Sequence, residues 1–446
     1  MKNNLSGVLA APSRRAVVAL TGAALLALTA SPALAKKGGN KPGGGGEDPP
    51  PPPPNPAFVE YQLTWISGIN DGAMRIHDCN TAGIAVGTYA DEAGTHQPFC
   101  TTADGVINPL DNWWVLPEGY ENWRVGARYA EMQINENNLV CGSIVNDLTS
   151  EHKLFLAKLS ERDSLKPVGP VLSRQPSYVY MNELGDVAFR VAPGSNSTLH
   201  LYVRSLDKMF GWEQIDRGYI PTGINDKLQV SLVYQEFTWN TPTVIYNHGS
   251  GLLTFDAETE EAEWDDLGTA WTNAEPITLP WGGINNDGTV FGCFETEAPR
   301  YRIRRNQLVS RSSDCTAGFI AAGAETWTEL DASLPTGGTL RTPYSFDAAA
   351  CALGVNEFGQ VVGGYNKGSA RYACEDLWLL DPEHGLFNVN DLVVGDLADV
   401  EAFRAADNIG LVHITEIDPE TGYGIISGAA SYSEAFILTP HLIEQP

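Results

Sequence analysis

One short phrase, Ile-Asn-x-x-Gly-x-Val-x-Gly, recurs along this chain and constrains its fold more than any other feature. The two clearest copies occupy residues 284–292 and 355–363 and begin 71 residues apart. Looser copies begin at Cys79, Ile134, Met181, Ile224 and, with an insertion, Ile417. A phrase that returns at intervals of this size is the signature of a repeat architecture. The chain is therefore one structural unit repeated about seven times.

Each unit has the pattern of a small β-sheet. The Asn-x-x-Gly part is typical of a tight turn, because Asn, Asp and Gly accept positive φ, and the Val-x-Gly part begins a strand. A second apolar segment follows in several units, at residues 96–99, 152–156, 200–203, 244–246 and 435–438. Further strands are predicted at residues 111–116, 212–215 and 327–330. After residue 35 no stretch has helical periodicity over the length of a helix, so the sequence predicts an all-β fold.

The spacing of the units favours a closed ring. The repeated Asn positions, with Asp418 as the last, lie 43 to 71 residues apart, which suits three or four short strands per unit. Open stacks keep a stricter period, whereas a ring of small sheets tolerates variable loops. We therefore predict a single β-propeller over residues 58–446, with seven blades, or six or eight because the end repeats are degenerate. Residues 58–63 and 435–438 are expected to complete one blade together and so remove an exposed edge.

The phrase and the strands that follow it resemble the bacterial extracellular repeats called HAF repeats. The resemblance covers about residues 66–440. The His-Ala-Phe triplet itself is never literal here, and His200-Leu201-Tyr202 is the nearest match. The resemblance implies a secreted or surface repeat protein of uncharacterised function, and it carries no catalytic residues over to this chain.

The first 57 residues predict export. Residues 1–35 combine basic residues, an apolar run at 16–28 and a small-residue ending, Ala33-Leu34-Ala35, which is the layout of a secretory signal peptide. Ser13-Arg14-Arg15 leaves the twin-arginine route open beside general secretion. Residues 36–57 are rich in Gly and Pro and are expected to form a disordered, extended spacer. We expect an extracytoplasmic protein, secreted, periplasmic or at the cell surface, without a transmembrane segment.

The charge excludes some partners. The formal net charge of −27 repels phosphate backbones and anionic lipid, so we expect no nucleic-acid partner and a monomeric protein. The acidic stretch 258–266 is predicted to be a solvated loop between blades 4 and 5.

Seven cysteines are compatible with an oxidising compartment. Three intervals of 21, 22 and 23 residues recur at similar places in the repeat. They predict three local disulfides, Cys79–Cys100, Cys293–Cys315 and Cys351–Cys374, with Cys141 left over.

The residues that could suggest a metal or cofactor site are predicted to be turn and packing residues. No two of the eight histidines have a metal-binding spacing, and no phosphate-cradling loop or Gly-x-Ser-x-Gly elbow is present, so we predict no cofactor and identify no catalytic residue. His96, His152 and His200 recur just before an aromatic residue, which favours packing; if they faced the channel, a ring of histidines would be the alternative. Residues 70–72 and 286–288, both Asn-Asp-Gly, are predicted turns rather than calcium loops.

The densest aromatic cluster lies between the first and second repeats. It consists of Trp113, Trp114, Tyr120, Trp123 and the neighbouring Arg124. Aromatic faces with polar groups beside them suit sugar rings, so these residues are the candidate ligand-binding set. Because neighbours on a strand point to opposite faces, only one of Trp113 and Trp114 is expected to be free.

Two hypotheses about function stay open. The first is a secreted, non-catalytic binding or structural module for polysaccharide or for a surface protein. The second is a polysaccharide lyase or glycoside hydrolase with its site at one end of the propeller channel. A lyase would need His, Tyr and Arg from separate blades around one pocket, and a hydrolase would need two carboxylates roughly 5–10 Å apart.

Overall fold

Seven small antiparallel sheets follow one another around a ring, so the chain is an all-β, seven-bladed propeller, as the repeat predicts. The computed structural model describes residues 59–443 apart from 68–72, 111, 127–130, 192–197, 213–216, 241–242, 269–277, 296–299, 305–306, 313–314, 325, 331–349, 366–375, 383, 407–408 and 432. The predicted signal peptide and spacer, residues 1–57, lie outside the described residues.

The strands are short, and most blades hold four of them. In chain order they are β1 (Val59–Ser67), β2 (Met74–Cys79), β3 (Ala85–Ala90), β4 (His96–Thr101), β5 (Ile107–Pro109), β6 (Trp123–Val125), β7 (Gln133–Ile134), β8 (Leu139–Asn146), β9 (His152–Lys158), β10 (Lys166–Leu172), β11 (Pro176–Met181), β12 (Val187–Val191), β13 (Thr198–Val203), β14 (Lys208–Trp212), β15 (Arg217–Ile224), β16 (Gln229–Asn240), β17 (Thr243–Asp256), β18 (Glu261–Gly268), β19 (Thr278–Ile284), β20 (Val290–Glu295), β21 (Arg300–Arg304), β22 (Gln307–Ser312), β23 (Cys315–Ile320), β24 (Thr328–Glu329), β25 (Ala350–Val355), β26 (Val361–Tyr365), β27 (Asp376–Asp381), β28 (Gly385–Asn388), β29 (Val393–Val394), β30 (Gly410–Ile417), β31 (Gly424–Ala429) and β32 (Glu434–Leu442).

The blades use these strands almost in order. Blades 1 to 6 consist of β2–β5, β6–β10, β11–β14, β15–β18, β19 with β20, β23 and β24, and β25–β28. Blade 7 consists of β30–β32 and β1, with β29 on its outer edge, and β21 and β22 form a separate hairpin. The innermost strands of the seven blades contact one another in a closed circle; they are β2, β7, β11, β15, β19, β25 and β30. Each inner strand ends at the Asn turn, so all seven turns lie at one end of the channel, called here the turn end.

The asparagine of the phrase is buried in each of the six blades that carry it, at positions 80, 135, 182, 225, 285 and 356. Its Oδ1 accepts the backbone N–H four residues on, over 2.8–3.2 Å, and this bond closes the turn. In five of the six blades its Nδ2 donates to the next blade. Asn225 donates to the Asn285 carbonyl over 2.9 Å, and Asn182 donates to the Asn225 carbonyl over 3.0 Å. Asn80, Asn135 and Asn356 donate across their own blade junctions over 3.0–3.5 Å.

Blade 7 corrects the predicted alignment of the last repeat. Asp418 does close a turn, since its backbone N–H donates to the Tyr423 carbonyl over 3.0 Å. The place of the asparagine, however, belongs to Thr415, whose Oγ1 accepts the Ile425 N–H over 3.0 Å and whose carbonyl accepts from Asn356. The longer turn of blade 7 shifted the apparent match by three residues.

The last glycine of the phrase makes room for an aromatic ring. Three such pairs stand directly opposite each other on neighbouring strands: Gly87 with Phe99, Gly142 with Phe155 and Gly428 with Phe436. A Cβ on any of these glycines would lie 2.8–2.9 Å from the ring. Blade 3 exchanges the partners, because Phe189 replaces the glycine and His200 stacks on it with ring centroids 5.1 Å apart. His200 therefore occupies the aromatic position, which His96 and His152 precede by three residues.

The ring closes through both ends of the described chain, and this confirms the predicted closure. Strand β1 pairs antiparallel with β32 from Val59–Leu442 to Ser67–Glu434, so blade 7 has no free edge there. Two helices, α1 (Val389–Leu392) and α2 (Leu397–Ala405), precede it, and the sequence analysis missed both. Phe403 of α2 packs on Phe436 with centroids 5.1 Å apart. The helix is short, and Asp396 caps it by accepting the Ala398 N–H over 2.9 Å.

Three further expectations meet different outcomes. Residues 112–116 form no strand, and most of the acidic stretch 258–266 belongs to β18, the outer strand of blade 4, rather than to a loop. The predicted turn at 286–288 is confirmed, with Gly288 at φ 86 and its N–H on the Asn285 carbonyl over 3.0 Å. Residues 70–72 lie outside the described residues.

The predicted Cys79–Cys100 disulfide is wrong in this structure. Both thiols are free and buried, as is Cys141. Cys79 lies on β2 and Cys100 on β4, with β3 between them, so two strand spacings of about 4.8 Å separate their backbones, more than a disulfide spans. The side chains of Cys293, Cys315 and Cys351, and all of Cys374, lie outside the described part of the chain.

We expect Cys79 and Cys100 to react with an alkylating reagent once the protein is unfolded without reductant. In the folded protein their burial raises the pKa of each thiol, to about 11 for Cys100, and blocks the reaction. Mass spectrometry of the alkylated peptides measures this. A pair that reacts only after reduction would contradict the strand order.

We expect Asn135→Ala to lower the free energy of unfolding by roughly 2–4 kcal/mol, because it leaves buried backbone groups of two blades without partners. Asn137→Ala is the matched control, since Asn137 is exposed in the same turn and should change stability by at most about 0.5 kcal/mol. Urea titration of both variants gives the two values. Equal effects would show that the bond between blades contributes nothing.

Candidate functional site

The structure separates the predicted aromatic cluster into two groups. Trp113 and Trp114 lie at the turn end, where their Nε1 atoms donate to the Leu159 and Lys158 carbonyls over 2.9 and 3.0 Å. Trp114 is 5% exposed and packs on Phe155, whereas Trp113 is 38% exposed. As predicted, only one of the two has a free face, and the Arg162 guanidinium lies 5.6 Å from the centre of that ring.

Tyr120, Trp123 and Arg124 lie at the opposite end of blade 2. Trp123 and Arg124 belong to β6 and pair with the last residues of β8, so they stand where that strand leaves the sheet. The Tyr120 and Trp123 rings meet edge to face with centroids 5.4 Å apart. Lys153 donates from Nζ to the Tyr120 hydroxyl over 3.0 Å. Sequence spacing did not reveal Lys153, because β9 brings it to this end.

Next to this group lies an open depression of about 530 Å³, lined by His152, Ser173, Arg174 and Gln175. His152 begins β9, and 173–175 is the connection from blade 2 to blade 3. The Nδ1 of His152 is buried without a hydrogen-bond partner. Burial, and then the charge of Arg124, lower the pKa of His152, so the imidazole is neutral at pH 7 and its chemistry is hydrogen bonding.

We name this set the blade 2 rim; its members are Tyr120, Trp123, Arg124, His152, Lys153 and Arg174. Arg124 forms an ion pair with Asp147 over 2.8 Å. Within the part of the chain that the structure describes, no carboxylate lies within 4.0 Å of the charged atoms of Lys153 or Arg174. Two uncompensated cations beside an aromatic pair stand out in a chain of net charge −27.

Titratable side chains on or beside the inner strands also join one blade to the next. His77 accepts the Met132 N–H at Nδ1 over 3.0 Å, and burial lowers its pKa to about 3. Glu131 accepts the Val179 N–H over 2.7 Å. His77 belongs to blade 1 and Glu131 to blade 2, and each is held by the backbone of the next blade.

A ring of mostly acidic residues lies at the turn end, one residue after the asparagines and, in blade 7, one residue after Thr415. Its seven members are Thr81, Glu136, Glu183, Asp226, Asn286, Glu357 and Glu416. The side chain of each of the last six accepts the backbone N–H of the member before it, as Asp226 does from Glu183 over 3.1 Å. Burial, with repulsion from other carboxylates of the ring, raises the pKa of Glu183 and of Glu416 to about 7. An acidic residue follows four of the six asparagines of the phrase, a regularity that the sequence already shows.

The histidine ring considered from the sequence is wrong for His96, His152 and His200, because all three lie on the third strands of their blades, away from the channel. Among the described residues there is no group of three or more His, Cys, Asp or Glu side chains arranged to hold a metal ion. In the same part of the chain no helix is long and apolar enough to cross a membrane.

Comparison with known proteins shows similarity of fold to solved structures. No protein-family profile matches the chain, and a search of curated proteins finds no match. Among solved structures, an ulvan lyase bound to -[GlcA(1-4)Rha3S]- is 8% identical at a TM-score of 0.44, covering 85% of this chain and 98% of its own. An oligogalacturonate lyase in complex with manganese is 10% identical at 0.43, over 87% and 99%. The Dos1 propeller is 8% identical at 0.42, over 85% and 95%. These values transfer no activity.

We expect Glu183→Gln to stabilise the protein at pH 8 by roughly 1–2 kcal/mol and to have no effect at pH 4. Because the folded pKa is raised from 4.5 to about 7, the folded protein binds the extra proton, so wild-type stability falls as pH rises through that interval. Urea unfolding at both pH values measures the change. The exposed Glu118→Gln is the control, and a difference for Glu183→Gln that did not depend on pH would rule out repulsion within the ring.

Proposed function

We propose that this protein is an exported, non-catalytic binding module that holds an anionic polysaccharide on the blade 2 rim. The observation that carries the proposal is the pair of uncompensated cations: Lys153, which contacts Tyr120 of the Tyr120–Trp123 pair, and Arg174, which lines the depression next to it. Export is inferred from the signal-peptide pattern of residues 1–35, and the ligand from the chemistry of the rim.

The rim suits a charged sugar chain for two physical reasons. The apolar face of a sugar ring packs against an aromatic face, and Tyr120 and Trp123 are both partly exposed. Carboxylate or sulfate groups of the chain would pair with the two cations, and the imidazole of His152 lines the depression beside them. The remainder of the protein is strongly acidic, so electrostatic attraction acts at the rim rather than over the whole surface.

A non-catalytic role is supported because two reactive side chains near the channel are already bonded to a neighbouring blade. The Nδ1 of His77 already accepts a backbone N–H, and Glu131 likewise accepts a backbone N–H from blade 3. A general base needs a free lone pair within reach of the proton that it removes. A role as general base for Nδ1 of His77 would therefore demand that this bond between blades be given up.

Binding is tested with residues 36–446 and two matched polymers, polygalacturonate and neutral dextran. We expect retention on the first and not on the second, and weaker retention as salt rises because charged contacts are screened. Absorbance of unsaturated products is followed in the same samples. Product formation would replace the binding module with a lyase, and equal retention on both polymers would refute recognition of charge.

We expect the double variant Lys153→Ala, Arg174→Ala to weaken polygalacturonate binding by on the order of tenfold or more, since charge-assisted hydrogen bonds contribute about 1.5–3 kcal/mol each. Lys208→Ala is the control, because Lys208 is an exposed cation at the turn end, where it pairs with Glu260. Affinity is measured by isothermal titration calorimetry. An equal loss in the control would indicate attraction by total charge instead of the rim.

A further inference from the structure

Arg190 has a buried donor without an acceptor. It lies on β12, the second strand of blade 3, directly opposite Ser177 of the inner strand and near the end away from the Asn turns. Its Nε is inaccessible to solvent and makes no hydrogen bond. A buried charged donor that lacks a partner costs more free energy than a neutral one, so its presence calls for a physical reason.

The guanidinium of Arg190 packs on Tyr178, whose backbone is strained. Its Cζ lies 5.7 Å from the centre of the Tyr178 ring, close enough for a cation–π contact. Tyr178 has φ 52, in the left-handed region that bulky residues avoid, and it stands in a bulge where β11 shifts register against β12. Strain of this kind persists where the surrounding structure enforces it and concentrates at ligand sites.

The bulge is fixed from the neighbouring blade. Glu131 of blade 2 accepts the N–H of Val179, the residue after Tyr178, over 2.7 Å. Its carboxylate is thus bound to the backbone. The platform under Arg190 is therefore rigid before any ligand arrives, and such preorganisation lowers the entropic cost of binding.

The platform continues the blade 2 rim along the chain. Ser173, Arg174 and Gln175 line the depression, and the next residue, Pro176, begins β11, which leads to Tyr178 two residues later. A polymer lying on the rim would therefore meet Arg174 first and then the platform at the channel end.

We infer that Arg190, seated over Tyr178, is an anion-binding residue that takes the carboxylate of a sugar acid. Because Nε is inaccessible, the two terminal Nη groups of this half-buried side chain are the donors that meet a ligand. Such a pair of donors matches the planar carboxylate, which accepts through two oxygens. Tyr178 packs on the flat face of the guanidinium, so it does not compete for these donors. The inference rests on the proposed function for the polymer to which the sugar acid belongs, but the single sugar is sufficient to test it.

The first experiment measures thermal unfolding of residues 36–446 with sodium glucuronate, with glucose as the uncharged control at equal ionic strength. We expect glucuronate to raise the Tm of the wild type and glucose to leave it unchanged. Arg190→Gln should remove the shift, while Arg204→Gln, which alters an exposed arginine at the turn end that donates to the Leu184 carbonyl, should keep it. A shift that survives in Arg190→Gln, or no shift in the wild type, overturns the inference.

Folding and binding are separated by two further measurements. Because Arg190→Gln removes a buried charge without a partner, we expect it to unfold at the same or a higher temperature in the absence of sugar. Tyr178→Gly should also raise the Tm by relieving the positive φ, yet lose the glucuronate shift with its platform. A markedly lower Tm for Arg190→Gln, or a shift retained by Tyr178→Gly, would show that these residues serve the fold alone.

The outcome is independent of the rim test. If the Lys153→Ala, Arg174→Ala variant loses polygalacturonate but keeps the glucuronate shift, both the rim and the Arg190 site are supported. If wild type fails to retain any anionic polymer and still shows a shift that depends on Arg190, the proposed function fails while the sugar-acid site stands.

Discussion

A buried asparagine amide that donates to the next blade is the interaction on which the rest of this structure depends. Neighbouring sheets of a propeller also pack through apolar faces, and apolar contact alone sets no unique rotation between them. The Asn side chain adds direction, because its Oδ1 is held by its own turn while its Nδ2 meets a backbone carbonyl across the junction, as in Asn225. Turn geometry and blade orientation are thereby fixed by one residue.

Much of the fold was predictable because the repeat expresses this physics locally. Asn at the turn and Gly opposite an aromatic ring are needed in nearly every blade, so both recur in the sequence. What failed depended on non-local arrangement. Thr415 replaces Asn with a hydroxyl and a longer turn, which hides the alignment, and the spacing of Cys79 and Cys100 along the chain gave no information on the strand between them. Helix α2 is too short to leave a periodic signal.

The candidate site was predictable only in part, for a related reason. Trp123 and Arg124 are adjacent in sequence and remain adjacent in space, whereas Lys153 and Arg174 reach them through the pairing of β8 with β9 and the connection to blade 3. Nothing in a single repeat marks these cations, because they occur once. Residues that recur in every repeat are those that the fold requires. Residues that occur once distinguish one blade from another.

Thr415 also makes one junction between blades different from the others. The bonds between blades run in one direction, each amide donating forwards, and blade 7 has a hydroxyl that donates to the adjacent Glu416 carbonyl over 2.7 Å in place of an amide that reaches onwards. The junction between blades 7 and 1 thus lacks the asparagine amide that crosses five of the other junctions. It is also the junction beside the blade that both chain ends build. The series of bonds between blades therefore has a direction, with a beginning and an end. The junction between blades 7 and 1 is where we expect the ring to open first.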